Sequence, residues 1–508
     1  MTQTRPAASP APSTLAVVDM GSNSFRLEIG RVEGGQIFRL DTWRETLHIG
    51  ARLDARGRLT ADGRRRALAC LARFAERLRG LHPSAVRVVA THTFRIAVNA
   101  TSFLERAERT LGFPIDVITG NEEARLIYAG VTHVLPASVE RRLVIDIGGG
   151  STEFIVGHTL LPDRLASLPI GCVNMTQRFF PQGKLTAAAF LAAETAAQAE
   201  IEEIGGEFGR DAFDVAYASS GTALALAEIL EANGLSAAGI TPDGLARLRK
   251  RMIGAGEIGR LRIAALKPER APVLAAGLAI MAAALAELGV QRVNPVGGAL
   301  RLGVLYDLLG RTEHHDARTA TIEQFHNRYQ VDRDHASRVA ALAVELYRHA
   351  VATPQPIAVQ RLEWAALLHE IGIQVSHTGF HKHGAYILEH ADMPGFSSRE
   401  QQTLSNLVLG CRGGLAKMGA ALGDRGFRAM LLALRLAVVL HHGRRSIELP
   451  RIAVDAGTVI HCSVPRRWLK AHPLSDLLLA RERSEWATAG HPWRSVVRRS
   501  RGAGRGGA

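Results

Sequence analysis

Cysteine is scarce in this 508-residue chain: Cys70, Cys172, Cys411 and Cys462 stand far apart with no CxxC pair. That excludes a disulfide framework and a zinc knuckle, and fits a reducing compartment. The opening MTQTRPAASPAPST has no apolar run of the signal-peptide kind, so residues 1–14 read as a disordered lead. A convincing membrane span is missing as well. The most apolar stretch, 271–289, is Ala-rich and bounded by KPER and QR, which suits a buried helix. With 47% hydrophobic and 22% charged residues the composition is not that of a disordered chain, and most of it must fold. At ~100–200 residues per domain the length predicts three or four domains.

What the chain does have is positive charge, placed unevenly. Of the net +14, residues 1–310 carry 35 basic and 31 acidic side chains, or +4; residues 311–508 carry 27 and 17, or +10. The second part also holds 15 of the 20 histidines. Such a field attracts polyanions without choosing between nucleic acid, polyphosphate and a membrane surface. The last residues, 494–508, hold five arginines and no acid and read as a disordered basic tail.

Strand and helix patterns alternate in the first part, which predicts an α/β fold. LAVVDM and FRLEIGRV flank the turn GSNS; helix 61–80 follows, with Leu68, Leu71, Phe74 and Leu78 at helical spacing. Strand 85–91, a helix near 101–112, strand 114–119 and a helix opening at NEEARLIYAG complete the unit. The pattern restarts with RLVIDIGGGSTEFIVG, putting Asp19 and Asp146 in equivalent places. This reads as a duplicated supersecondary unit, two lobes whose polar loops face each other across a cleft. From about 319 the pattern becomes helical, and 446–493 returns to short β-like runs and a helix.

The loops carry the chemistry. Gly and Ser at strand ends bring backbone N–H groups close to a ligand, and such concavities hold phosphate oxygens. The first loop offers Gly21, Ser22, Asn23 and Ser24 with Arg26 as a charged clamp; the second offers Gly148, Gly149, Gly150, Ser151 and Thr152; a third offers Ser220, Gly221 and Thr222 after Ser219. GxxxxGK[ST] is absent, and strand follows loop where a dinucleotide fingerprint would have a helix.

Taken in order, DMGSNSFR, ATHTFRIAVN, ITGNEEARLIYAG, VIDIGGGSTEF, SSGT and GALRLGVLYD resemble the exopolyphosphatase and guanosine pentaphosphate phosphohydrolase family, across 15–493. That family belongs to the actin-like, sugar-kinase and Hsp70 group of folds. The resemblance implies two actin-like, ribonuclease H-like lobes, 15–134 and 135–310, then a helical, degenerate HD-like domain at 311–445 and a small α+β domain at 446–493. It also implies removal of a terminal phosphate by water, with magnesium in the cleft, and a cytoplasmic homodimer; potassium as a further activator is left open. A peripheral membrane association is left open; no specific nucleic-acid partner is expected.

Carried onto this sequence, the family's base falls on Glu123, with Glu122 as a cap or supporting residue behind Asn121. A carboxylate is what an attacking water needs beside it. Asp146, Glu153 and Asp19 are the expected magnesium ligands, and Arg95 the expected neutraliser of phosphate charge. Many relatives read ALREG where this chain has Ala299-Leu300-Arg301-Leu302-Gly303. Leu302 therefore suggests a packing site near the cleft.

In the helical part, His335 with His369-Glu370 resembles the spacing of helical metal-dependent phosphohydrolases, which use His…His-Asp…Asp. Glu370 stands for the expected Asp, and LRLAVVLHHG lacks the final acid, so no working second metal centre is expected. The basic groups His377, His381, Lys382, His383, Arg444 and Arg445 are instead expected to line a channel for a linear phosphate chain. Linear polyphosphate is the expected substrate, with guanosine pentaphosphate second. Further alternatives are a non-catalytic polyanion binder and a sugar or acetate kinase. The intact acids argue against the first, and the kinase would need an adenosine pocket not found in the sequence.

Overall fold

The computed structural model describes residues 13–312, 316–457 and 459–495. The expected lead and basic tail lie almost wholly outside them, although Thr14 already belongs to a strand. Two compact units meet at Ala317/Arg318.

The first unit opens with β1 (Thr14–Met20), β2 (Ser24–Glu33) and β3 (Gln36–Thr46). It continues through α1 (Ala61–Leu78), β4 (Val86–Ala90), α2 (His92–Ile96), α3 (Ala100–Leu111), β5 (Ile115–Val117) and α4 (Gly120–Thr132). The second half runs β6 (Arg142–Ile147), β7 (Thr152–His158), β8 (Leu161–Leu168), α5 (Cys172–Phe179) and α6 (Ala187–Phe208). It ends with β9 (Val215–Ser219), α7 (Ser220–Ala232), α8 (Pro242–Ala255), α9 (Ala271–Glu287), β10 (Asn294–Pro295) and α10 (Leu300–Thr312).

The sheets are ordered β3-β2-β1-β4-β5 and β8-β7-β6-β9-β10. They are one topology used twice: an antiparallel meander, then two parallel strands added at its first edge. Equivalence extends to single residues. Gly21 N–H bonds the Ser24 carbonyl at 3.2 Å and Gly148 N–H the Ser151 carbonyl at 2.9 Å. The ladders shift register at Ile29/Gly30 and again at Val156/Gly157. A Cβ on Gly157 would lie 2.6 Å from the Leu161 carbonyl, so the bulge needs a residue without one.

Helical periodicity places the faces as expected: Leu71, Phe74 and Leu78 of α1 are buried under the first sheet, with Leu68 half-buried. The Ala-rich stretch is α9, buried in the core of the second lobe. Among the described residues no helix is long and apolar enough to cross a membrane. A separate core containing Val17, Val89, Ile127, Val144, Ile155 and Val304 joins the lobes. There α4 and α10 cross so closely that a Cβ on Gly303 would overlap the Leu126 carbonyl.

The second unit is helical through α11 (Ala317–Arg328), α12 (Arg333–Ala350), α13 (Pro356–Leu367), α14 (Phe380–His390), α15 (Ser398–Gly410) and α16 (Arg425–Leu440). Then come β11 (Ala453–Ala456), β12 (Ile460–Ser463), α17 (Arg466–Ala471), α18 (Pro473–Thr488) and β13 (Trp493–Ser495). The segment expected as its own small domain at 446–493 has no separate core. Val454, Ile460, Cys462 and Trp486 join the helices' cluster around Leu342, Leu404 and Leu434. So few apolar residues could not bury a core alone.

Candidate active site

A cleft of about 460 Å³ opens between the lobes and is lined by both predicted loops and by Ser220, Gly221 and Thr222. The loops face each other closely. A Cβ on Gly149 would lie 3.1 Å from Ser22 Cβ and 3.3 Å from Asn23 N. Their carbonyls are occupied elsewhere. Leu47 and His48 N–H donate to Asn23 O, Gly50 N–H to Ser22 O, Cys172 N–H to Gly148 O and Val173 N–H to Gly149 O. Asn174 Nδ2 donates to Gly150 O at 3.1 Å. With these acceptors taken, the loops are suited to offer N–H groups to an anion. Ser220 opens α7 at φ +84°, strained for a side-chain-bearing residue, and its Oγ accepts from Thr222 and Ala223 N–H.

Four predicted acids converge here. Directly opposed residues of an antiparallel pair share a sheet face, and Asp146 opposes Glu153 on β6/β7. The equivalent pair in the first sheet is Asp19 and Arg26. Burial raises the pKa of all four carboxyl groups. Asp146 reaches about 6, with Ser219 Oγ donating to its Oδ2 and opposing the rise. Glu123 reaches about 7, held back by Arg95 and pushed further by Asp19 and Asp146. Glu153, bonded by Ser167 Oγ at 2.9 Å, is also raised by Glu123 and Asp146. Carboxylates that discourage one another's ionisation fit a divalent cation, which would reverse the penalty.

Four expectations need correction. Arg95 does not line the cleft: its Nη1 donates to Glu123 Oε2 at 2.8 Å and to Ile118 O at 3.0 Å, so it holds the acid. Thr152 is fully buried and its Oγ1 donates to the Ile170 carbonyl at 2.5 Å, leaving it no hydroxyl to offer a ligand. Asn121 does not cap α4; Thr119 does, its Oγ1 accepting from Glu122 N–H at 3.1 Å. Glu153 is buried behind the wall, not on it.

Neighbouring residues on a helix point about 100° apart, and Glu122 accordingly faces away from the cleft. It takes two bonds from Arg125, 2.7 and 2.8 Å, and Arg125 reaches Asp307 of α10 at 2.6 Å. Arg87 and Arg311 complete that buried network on Asp307.

Sequence patterns missed most of the cations in the cleft. Arg44, Lys267, Arg270 and Arg301 line it beside the expected Arg26. They come from a strand, a loop and a helix start, and no local pattern marks them; only the run KPER hints at two. Burial, with Arg301 next, lowers Arg26 to about 10, and burial with Arg270 lowers Arg44. Crowded guanidinium groups that depress one another's basicity fit a polyanion. Arg301 also bonds Glu28 at 3.0 Å, as does Arg39. Leu302 lines the cleft and lies against Gly298.

The sequence profile of the Ppx/GppA phosphatase family matches residues 29–312, and that of its domain III matches 317–483. The chain belongs to the Ppx/GppA phosphatase family. Its structure is similar to the crystal structure of the Aquifex aeolicus family member, 27% identical, covering 59% of this chain and 99% of that one with a TM-score of 0.50. It is also similar in fold to an exopolyphosphatase from Cytophaga hutchinsonii, 23% identical, covering 59% and 98% with a TM-score of 0.53. The two lobes thus carry the Ppx/GppA profile, and the helical unit that follows carries the profile of its domain III.

The expected channel residues all lie in the second unit. Arg444 is committed to Glu370 at 2.5 Å and Asp332 at 3.3 Å, and so is not free for substrate as expected. His381 is half-buried against Phe380, whereas His377, Lys382 and Arg445 are exposed and His383 is half-buried.

Proposed function

We propose that this protein is a magnesium-dependent exopolyphosphatase, removing terminal phosphate from linear polyphosphate and releasing orthophosphate. The observation that carries the reading is the cleft itself, where two facing Gly/Ser loops, a group of cations and four buried acids come together. The loop N–H groups, Ser22 and Ser151 hold the terminal phosphate; Arg26, Arg44, Arg270 and Lys267 take the charge of the following residues. Asp146, with Asp19 opposite, would hold magnesium, with Glu153 behind the wall adding negative charge, and the ion would supply charge neutralisation at the transferring phosphoryl group. Glu123, poised near pH 7 by burial and Arg95, accepts the proton of the attacking water. Positioning and electrostatics then supply most of the acceleration.

Polyphosphate is favoured over guanosine pentaphosphate because none of the described residues lining the cleft is Phe, Tyr or Trp. A nucleobase ordinarily stacks on an aromatic side chain. Phosphate release from long-chain polyphosphate and from guanosine pentaphosphate, measured in parallel with magnesium across a salt series, tests the assignment. Polyphosphate should be preferred and should weaken steeply with salt. Preference for the nucleotide reverses the order, and no release from either overturns the hydrolase reading.

A further inference from the structure

In the second unit, three ligand-type groups converge. One atom each of His335, His369 and Glu370 lies within 4.8 Å of the others, and among the described residues no further acid joins the group. His369 is 1% exposed. Its Nδ1 stands 2.7 Å from the Ala366 carbonyl, an acceptor only, so the proton is on Nδ1 and the Nε2 lone pair is free. That Nε2 is buried without a hydrogen-bond partner and lies 3.9 Å from Glu370 Oε1. His335 Nε2 lies 3.8 Å from the same oxygen. The imidazole centroids are 5.5 Å apart.

A buried nitrogen without a partner beside a carboxylate oxygen is a place for an ion or an ordered water, and two imidazoles around one carboxylate favour the ion. Ligands ~2.0–2.1 Å from a tetrahedral zinc ion are about 3.4 Å from one another, so each imidazole must close by about half an ångström on Glu370, and the two imidazoles must also draw toward each other from within 4.8 Å. The His369 Nδ1 bond to a backbone carbonyl is the supporting contact that fixes a metal-binding imidazole's tautomer. The Arg444 guanidinium bonds Glu370, and among the described residues no hydrogen bond joins it to either ring. Arg444 sits at φ +56°, just beyond α16.

We propose that His335, His369 and Glu370 form a site for a zinc-class divalent ion, and that Arg444 is a displaceable cation competing for Glu370. Two imidazoles and one carboxylate suit zinc, cobalt or iron better than magnesium, so this site and the cleft differ in the metal they take. Three protein ligands leave a fourth position for water or an anion.

The test is equilibrium dialysis of the full chain against zinc in excess magnesium, with cobalt absorption as a second reading. The intact protein should retain one equivalent of zinc that His369→Gln and Glu370→Gln both lose, and cobalt should show a tetrahedral visible spectrum. Arg444→Met should bind at least tenfold more tightly. Equal zinc content in the intact protein and both folded ligand variants overturns the site. Unchanged affinity in Arg444→Met overturns the competing role of the arginine. Circular dichroism of each variant separates loss of ligand from loss of fold.

Discussion

Arg95 Nη1 lies 2.8 Å from Glu123 Oε2, joining the short α2 to the first turns of α4. Burial drives the Glu123 carboxyl up, and this guanidinium keeps it at about 7. Removing the cation should let the pKa rise further. For Arg95→Ala we expect the acid limb of the kcat–pH profile to move to higher pH, with kcat reduced at neutrality and partly recovered in alkali. KM should change little. A raised KM with an unmoved limb would return Arg95 to the role of phosphate clamp.

Glu123→Gln removes the proton acceptor while keeping the side chain's shape. We expect kcat to fall by roughly 10²–10⁴, with binding of polyphosphate kept or strengthened because one buried acid is gone. Single-turnover kinetics beside equilibrium binding measure both. Full turnover by this variant would remove Glu123 from the reaction.

The lobes and their loops were legible in the sequence because strand–turn–strand units are local. Asp19 and Asp146, each followed by Gly at the second position, mark equivalent turns that the sheets repeat. The partner of Glu123 was not legible, since 28 residues separate Arg95 from it and only the fold joins them. Strand β8 also escaped: LPDRLASL alternates weakly, being an edge strand with an exposed face. Ser167 on that strand, which bonds Glu153, escaped with it. The His335–His369–Glu370 convergence was discounted from the missing acid, because spacing cannot show which nitrogen is left unpartnered.

The raised carboxyl groups also tie stability to pH. Asp146 at about 6 and Glu123 at about 7 are harder to ionise folded than unfolded. Their contribution is therefore fully present below the ordinary carboxylate range and is lost as pH rises through about 6 and then 7. A divalent cation bound to the ionised acids acts in the opposite sense. Thermal melts should show magnesium raising Tm more at pH 8 than at pH 5. Asp146→Asn should shrink that difference and raise metal-free stability in alkali. An equal magnesium effect at both values would place the ion elsewhere.

The α4–α10 crossing ties the position of Glu123 to a contact at the far end of its helix. A Cβ on Gly130 would overlap the Ala299 carbonyl and one on Gly303 the Leu126 carbonyl, so the helices touch backbone to backbone. Backbone cannot move aside as a flexible side chain can, and overpacking of this kind costs about 1–3 kcal/mol. Gly303→Ala should therefore lower the free energy of unfolding by that amount. It should also push α4 away from α10, moving the Thr119-capped first turn that carries Glu123 against β8. A displacement of that order can cost ~10²-fold in rate even far from the chemistry. The expected signature is a fall in kcat at temperatures where the variant is fully folded, with substrate affinity largely kept because the Gly/Ser loops do not lie on α4. Unchanged kcat in a destabilised but folded variant would show that the crossing supports the lobes without setting the position of the base.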